Sequence, residues 1–169
     1  KDRLGNFKIL EHYSKENNFD VHLLESIMPS DSSDKFSSSI IRENIKNGEM
    51  EKANFALGRH WHMTGLIVEG DKRARKINFP TANVLPGNHI MPRKGVYCVE
   101  VYIKNQKYLG ISNFGERPTV DGSKLLLETH IFNFSEEIYG NELTVRFLTF
   151  IRPEQKFANF DELAKQIKK

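Results

Sequence analysis

The chain has 169 residues, of which 38% are hydrophobic and 28% charged, enough for one globular domain or for a domain plus a fragment of another, and this excludes a large multidomain protein. Its apolar runs fall short of the roughly 20 residues that a membrane helix needs, so we expect a soluble protein without a membrane partner. The net charge of +3 is too small to demand a nucleic-acid partner.

Cysteine content and the first residues indicate the compartment. The single cysteine, Cys98, excludes a disulfide framework and a multi-cysteine zinc site, which suits a reducing environment and predicts a cytoplasmic location. Residues 1–18 are highly charged and lack the apolar core of a secretory signal. They start without an initiator methionine, so we expect them to come from inside a longer protein.

Residues 1–57 are predicted to be mainly helical, with one possible strand. Three helices and that strand cover, in chain order, 4–16, 21–27, 40–48 and 48–58. Serines at 37–39 are suited to accept hydrogen bonds from the first amides of the middle helix, and Gly48 is suited to end it. The last helix has acidic residues in its first turn and ends at Gly58.

After Gly58 the apolar pattern changes to a period of two, which is typical of strands. Five segments show it, at 62–69, 96–103, 107–113, 124–134 and 142–151. Strands at this spacing without helices between them favour an antiparallel barrel or sandwich of five or six strands.

Two features near the end of the chain refine this prediction. In the strand at 142–151, alternation assigns one face to the core, with Leu143, Val145, Phe147, Thr149 and Ile151. Asn159 and Glu162 have the spacing of a capping box and predict a terminal helix.

A cluster of four cations lies within five residues of a predicted loop. Lys72, Arg73, Arg75 and Lys76 precede the rigid Phe79 and Pro80. A flexible basic loop anchored by a proline is suited to bind phosphates, although a solvated turn has the same composition.

The PTAN sequence at 80–83 follows that loop. Pro80 favours an extended backbone before it, and an extended stretch brings Thr81 and Asn83 to one face. A hydroxyl and an amide oxygen are hard ligands, suited to a Mg²⁺ ion that is shared with phosphate oxygens.

An acidic residue interrupts the apolar stretch KLLLETHIFNF. Alternation puts Glu128 on a face with Leu126, His130, Phe132 and Phe134. A carboxylate among apolar neighbours has a raised pKa and suits a general base. An ion pair with an arginine on the next strand, such as Arg146, explains the pattern equally well.

The stretch SNFGERPTV at 112–120 has the composition of a turn, with Asn113, Gly115 and Pro118. It is either a loop that grips a substrate or a tight connection. His60 and His62 flank Trp61, and without a third ligand we interpret them as surface or hydrogen-bonding residues.

The motifs PTAN, SNFGERPT, ETHIFNF, IYGNEL and IRPEQKF, in that order, resemble the riboflavin kinase (flavokinase) family over residues 58–169. The SSSIIR stretch at 37–42 and the helix after it resemble the end of the FAD synthetase module that precedes the kinase in bacterial bifunctional enzymes. The resemblance implies two domains, 1–57 as a mostly helical remnant of an α/β nucleotidyltransferase and 58–169 as the kinase.

The resemblance also implies a fold and a reaction. The fold is a six-stranded antiparallel Greek-key barrel with a C-terminal helix. The reaction transfers a phosphoryl group from ATP, with Mg²⁺, to the 5′ hydroxyl of riboflavin and gives FMN and ADP.

Site residues follow by position from the resemblance. Glu128 matches the catalytic base, and Thr81 and Asn83 match the ligands of Mg²⁺ and the terminal phosphates. Further residues implied to bind ATP are Gly70, Arg73, Arg75 and Pro80. Those implied to bind the flavin are Asn113, Gly115, Arg117, Thr119 and Arg152. Those implied to belong to the remnant adenylyltransferase ATP motif are Ser37, Ser38, Ser39 and Arg42.

Two departures from the family pattern bear on function. The loop over ATP is poorer in glycine, because Lys72, Ala74 and Asn78 stand where the family has glycine or arginine. The 169 residues contain no HxGH-type motif, so FAD synthesis is expected only of a longer protein. Two alternatives stay open: a kinase domain retained only for flavin binding, and a non-catalytic basic barrel that binds nucleic acid.

Overall fold

The computed structural model describes residues 6–24, 36–68, 81–119 and 122–155. The chain forms two compact units, Lys1–Phe36 and Ser37–Lys169. The predicted terminal helix lies outside the described residues. Within them, no helix is both long and apolar enough to cross a membrane.

The first unit contains one described helix, α1 (Phe7–Asn17). Asn6 caps its start, because its Oδ1 accepts a hydrogen bond from the amide of Ile9 at 3.1 Å, and Asn18 ends it in the left-handed conformation. Residues 21–24 are not in a strand, so the strand predicted over 21–27 is wrong for its described part.

The second unit begins with helices α2 (Ser38–Asn47) and α3 (Met50–Leu57). The serine capping prediction is confirmed: Ser37 Oγ accepts a hydrogen bond from the amide of Ile40 at 3.2 Å. Gly48 ends α2 at a φ of 79°, a conformation that glycine adopts without steric cost.

A closed barrel of six antiparallel strands follows. The strands are β1 (His62–Val68), β2 (Thr81–Val84), β3 (Gly95–Ile103), β4 (Gln106–Thr119), β5 (Gly122–Ile131) and β6 (Glu142–Arg152). Around the barrel they lie in the order β1-β2-β5-β4-β3-β6. Strands β3 to β5 are consecutive neighbours, and β6 returns to lie beside β3, which is the Greek-key arrangement. The predicted fold is confirmed.

Buried and more exposed side chains alternate along the first half of β6, until two register shifts in its pairing with β3 interrupt the pattern. Leu143, Val145 and Phe147 are fully buried, as predicted, but Ile151 is 49% exposed. The pairing with β3 shifts register twice, between Val96 and Tyr97 and between Cys98 and Val99. An extra residue in one strand reverses the face of those that follow, so the predicted core face ends after Phe147.

The predicted turn at 112–120 is wrong over its described residues. Asn113 to Thr119 form the second half of β4, which pairs with β5 as far as Thr119 opposite Gly122. Asparagine, glycine and proline are frequent in turns, but here the long pairing with β5 keeps the backbone extended.

Helices α2 and α3 share the hydrophobic core of the barrel. Ile45, Met50 and Ala53 are fully buried in one cluster with the interior strand residues. Asn54 on α3 links the two parts directly: its Nδ2 donates to the carbonyl of Phe147 at 2.8 Å, and its Oδ1 accepts from the amide of Trp61 at 2.7 Å.

We predict that Asn54→Ala lowers the free energy of unfolding by about 2–3 kcal/mol, because it leaves a backbone amide and a backbone carbonyl without their partner. Denaturant unfolding measures the change. Lys52→Ala on the same helix removes only an exposed ion pair with Glu49 and serves as the control, with an expected change below about 0.5 kcal/mol. Equal losses in the two variants would contradict the prediction.

Candidate active site

Three predicted site residues lie side by side on neighbouring strands. Asn83 on β2 is opposite Glu128 on β5, and Glu128 is opposite Asn113 on β4. Directly opposed residues of an antiparallel pair have Cβ atoms roughly 5 Å apart. Thr81 lies two residues from Asn83, opposite His130.

The direction of these side chains follows from which of their strand neighbours are buried inside the barrel. Val84, Leu127 and Phe114 are buried in the core, and they alternate with the predicted site residues along their strands. Successive side chains of a strand point to opposite faces. Thr81, Asn83, Glu128 and Asn113 therefore share the outer face of the barrel across β2, β5 and β4.

Glu128 forms an ion pair with Arg117 on the adjacent strand. Arg117 Nη2 and Nε both donate to Glu128 Oε2, at 2.5 and 2.9 Å. The pairing predicted with Arg146 is wrong, because Arg146 donates to the hydroxyl of Tyr102 at 2.9 Å and stacks on its ring. The ion pair with an arginine on a neighbouring strand, one of the two interpretations that the sequence left open, is confirmed, with Arg117 on β4 in place of Arg146.

Glu154, which sequence reasoning did not single out, completes this cluster. Its Oε1 accepts hydrogen bonds from Asn113 Nδ2 at 3.1 Å and from Arg117 Nη1 at 3.2 Å. Its carboxylate also lies against Gly115, where an added Cβ would be only 2.0 Å from Oε1. Glycine in a strand often marks such a close approach, and Glu154 itself lies in the IRPEQKF motif, so the sequence carried two signals.

Two carboxylates stabilise the positive charge of Arg117. Burial lowers the pKa of its guanidinium, but the hydrogen bonds and charges of Glu128 and then Glu154 outweigh burial and raise the pKa above its ordinary value. Arg117 is therefore a permanent cation that bridges the two acids.

Asn83 has an unusual environment for an amide. The residue is 5% exposed, and its Oδ1 is buried without a hydrogen-bond donor among the described residues. A buried polar atom is rarely left without a partner unless a ligand, ion or water provides one.

The oxygen donors near Asn83 fit a hard cation. Asn83 Oδ1, the Thr81 hydroxyl and the Glu128 carboxylate are the types of ligand that Mg²⁺ prefers. The described residues contain no cluster of three histidine, cysteine or acidic side chains that would hold a metal alone. A magnesium ion shared with phosphates needs no such cluster.

A cleft of about 800 Å³ opens beside Thr81. Its apolar lining residues are Ile67, Ala82, Ile131, Phe134 and Ile138. The polar and charged residues that also line it are Thr81, Thr129, His130, Asn133, Ser135, Glu136, Glu137 and Tyr139. A concave site that combines apolar side chains with polar groups is typical of a binding site for a small organic molecule.

Of the other predicted site residues, only some lie within the part of the chain that the structure describes. Gly70, Arg73, Arg75 and Pro80 lie outside the described residues, and of Thr119 only the backbone is described. Arg152 is the last residue of β6, opposite Val96, and donates to the carbonyl of Pro153 at 3.1 Å.

The serines at 37–39 serve the local structure of α2. Ser37 caps the helix, and Ser38 Oγ accepts a hydrogen bond from Arg42 Nη1 at 2.9 Å. Their predicted membership of an adenylyltransferase site stays a prediction.

A family model described as Flavokinase, riboflavin kinase, matches residues 57–169. The chain is 40% identical over 168 residues to the bifunctional riboflavin kinase/FMN adenylyltransferase of Haemophilus influenzae, covering 99% of this chain and 54% of that protein. It is 36% identical over 166 residues to the protein of the same description from Escherichia coli, covering 98% and 52%. The chain thus spans about half the length of these curated relatives.

One solved structure is similar over most of the chain. A crystal structure described as a macrolide-efflux protein from Streptococcus pneumoniae matches with a TM-score of 0.81 and 35% identity, covering 92% of this chain and 52% of that chain.

We predict that Asn83→Leu changes the free energy of unfolding by less than about 1 kcal/mol in the absence of metal, because Oδ1 gives up no described hydrogen bond. The contrasting variant is Thr129→Val. Thr129 is fully buried and its hydroxyl pairs with that of Ser112 at 2.7 Å, so its loss should cost about 1–3 kcal/mol. Denaturant unfolding with a metal chelator present compares them, and similar losses in both would contradict the prediction.

Proposed function

The chain belongs to the riboflavin kinase (flavokinase) family, and we propose that its barrel phosphorylates the 5′ hydroxyl of riboflavin with ATP, giving FMN and ADP. The observation that carries the proposal is the row of Asn83, Glu128 and Asn113 on one face of the barrel. Phosphoryl transfer needs charge neutralisation at the phosphates and a base at the accepting hydroxyl. In this row Asn83 offers an oxygen ligand for a cation at the phosphates, and Glu128 offers a carboxylate base.

Glu128 is the proposed general base. Arg117 holds one of its oxygens, Oε2, while no described residue donates to the other, Oε1. A carboxylate that is oriented through one oxygen presents the second in a fixed position. The 5′ hydroxyl would donate its hydrogen bond to Oε1 and pass its proton there as its oxygen bonds to the γ-phosphorus of ATP and the bond from that phosphorus to ADP breaks.

Thr81 and Asn83 are the proposed ligands of Mg²⁺ and of the terminal phosphates. The buried Oδ1 of Asn83 accepts no hydrogen bond from the described residues and lies opposite Glu128, so it would be available as a ligand. When bound, Mg²⁺ neutralises the charge on the transferred phosphate.

The cleft beside Thr81 suits the nucleoside part of ATP. Its apolar side chains can cover the base, and its polar groups can orient the sugar. Thr81 lines the cleft and also lies next to the row of Asn83 and Glu128, so a nucleotide in the cleft would direct its phosphates toward Glu128. Gly70, Arg73, Arg75 and Pro80 are proposed to cover it.

Riboflavin is proposed to approach from the β4 side, near Asn113, Gly115, Arg117, Thr119 and Arg152. Asn113 lies directly opposite Glu128 on the neighbouring strand and Arg117 donates to Glu128, so a ribityl chain along them would bring its terminal hydroxyl to Oε1. Amide and guanidinium groups are suited to the hydroxyls of such a chain.

We further propose that 1–57 derives from a nucleotidyltransferase and that the kinase domain is 58–169, in a protein of the cytoplasm. Ser37, Ser38, Ser39 and Arg42 would then belong to the second half of an adenylyltransferase nucleotide site. The curated relatives are named for both activities.

We predict that the purified chain converts riboflavin to FMN with ATP and Mg²⁺, and that Glu128→Gln lowers kcat by about 10²-fold or more, because the amide cannot accept the proton. Chromatographic separation of riboflavin and FMN measures the rate. Glu142→Gln, an exposed change on β6, is the matched control and should keep the wild-type rate.

Two outcomes would contradict this prediction. A Glu128→Gln variant with wild-type turnover would exclude Glu128 as the base. A wild-type chain without turnover that binds single-stranded nucleic acid with a steep salt dependence would favour the basic barrel instead.

We predict that the same 169-residue chain forms no FAD when it is given FMN, ATP and Mg²⁺, because it contains no HxGH-type motif to position the adenylyl group. The chromatographic assay resolves FAD from FMN. Detectable formation of FAD by the purified chain would overturn the prediction.

A further inference from the structure

The hydrogen bonds between Arg117 and Glu128 are unusual for an arginine and a carboxylate. The pair commonly forms two parallel hydrogen bonds, one to each carboxylate oxygen. Here Nε and Nη2 of Arg117 converge on the single oxygen Oε2 of Glu128. The arrangement leaves Oε1 without a donor from the described residues.

The remaining guanidinium nitrogen of Arg117, Nη1, has partners that hold the side chain in this orientation toward Oε2 of Glu128. Nη1 donates to Oε1 of Glu154 at 3.2 Å and to the backbone carbonyl of Glu116 at 3.0 Å. The guanidinium is planar, so a partner on Nη1 restricts how the opposite edge meets Glu128.

Glu154 is itself fixed from two sides. Asn113 Nδ2 donates to its Oε1 at 3.1 Å, and the carboxylate lies in the space that the missing side chain of Gly115 leaves open. Glu154 follows β6, whereas Asn113, Gly115 and Arg117 are on β4. The contact therefore links the segment after β6 to the outer face of β4.

We propose that Glu154 is a positioning residue for phosphoryl transfer: by binding Nη1 it prevents Arg117 from bridging both oxygens of Glu128, and so keeps Oε1 available to the accepting hydroxyl. This inference rests on the proposed function, in which Glu128 is the base. Without Glu154, Arg117 would rotate toward the two-oxygen arrangement, and Oε1 would be occupied by a donor that competes with the substrate.

A purely structural role for Glu154 predicts something different. The ion pair of Glu154 and Arg117 is partly exposed, at 32% and 35% of the two side chains, and such pairs contribute little to stability. Loss of local packing would change the melting temperature, or the KM for riboflavin, without a specific effect on kcat. If the Glu154 carboxylate only obstructed the flavin site, its removal would lower the KM for riboflavin and leave kcat unchanged or higher.

The kinetic test combines Glu154→Ala with Arg117→Met in a double-mutant cycle. We expect Glu154→Ala to lower kcat about tenfold with KM for ATP unchanged within twofold, and Glu154→Gln, which keeps the acceptor oxygen, to lose about threefold. In the Arg117→Met background the loss from Glu154→Ala should shrink to less than twofold, because Glu154 acts only through Arg117.

The matched control is Glu116→Gln. Glu116 precedes Arg117 in the sequence, and its carboxylate pairs with Lys94 at 2.5 Å. The substitution removes that carboxylate but keeps the backbone carbonyl of residue 116, which accepts a hydrogen bond from Arg117 Nη1. Its kcat should equal the wild-type value. Wild-type kcat in Glu154→Ala, or an equal loss in the Arg117→Met background, overturns the proposal.

Crystal structures of the wild type and of Glu154→Ala give a second test that needs no activity. We expect Arg117 to contact only Oε2 of Glu128 in the wild type and both oxygens in the variant. An unchanged contact in the variant overturns the proposal. If the wild-type chain has no kinase activity but the contact changes as expected, the proposed function fails while the role of Glu154 in orienting Arg117 stands.

Discussion

Closure of the barrel is the constraint on which the candidate site depends. In a closed sheet each strand residue faces either the packed interior or the outside, and each strand has a partner on both edges. All four residues of β2 pair with β5, and Asn83 and Val84 also pair with β1. This double pairing fixes the register of a short strand, and the register sets Asn83 opposite Glu128.

The same constraint separates two kinds of polar group. Inside the barrel, the hydroxyls of Ser112 and Thr129 satisfy each other at 2.7 Å, as buried polar groups in a stable core generally do. On the outer face, Asn83 Oδ1 is buried without a described partner, and the charges of Arg117 and Glu128 are only partly covered. Polar groups that satisfy each other stabilise a fold, whereas these outer groups retain capacity for a ligand.

The fold was largely predictable because the alternation of apolar and polar residues in a strand can be read from one short segment of sequence. Periodicity located five of the six strands, and capping residues located α2. Two parts of the fold were not predictable in this way. Gly115 and Pro118 indicated a turn, but pairing with β5 along its length extends β4 through them. The irregularities of β6 depend on its pairing with β3 and leave no clear periodic signal.

The site was predictable only where a single segment carries it. Thr81 and Asn83 are two residues apart, and the position of Glu128 follows from alternation in one strand. The partners of Glu128 come from elsewhere: Arg117 is on the strand next to β5 in space, and Glu154 follows the last strand. Arg146 was an equally good partner by sequence, since strand order in a Greek key is decided by the closure of the whole sheet.

The ion pairs of the site have a consequence for how Glu128 would act as the proposed base. Arg117 and Glu128 are 35% and 29% exposed, and pairs with this exposure contribute at most about 1 kcal/mol to stability. Their main effect is therefore geometric. An arginine with two acidic neighbours loses much of the freedom of its side chain, and this loss is the cost of holding one oxygen of Glu128 in place before the substrate binds. A base oriented in advance needs no reorganisation when the hydroxyl arrives, which is the condition under which fixed polar groups accelerate a reaction most.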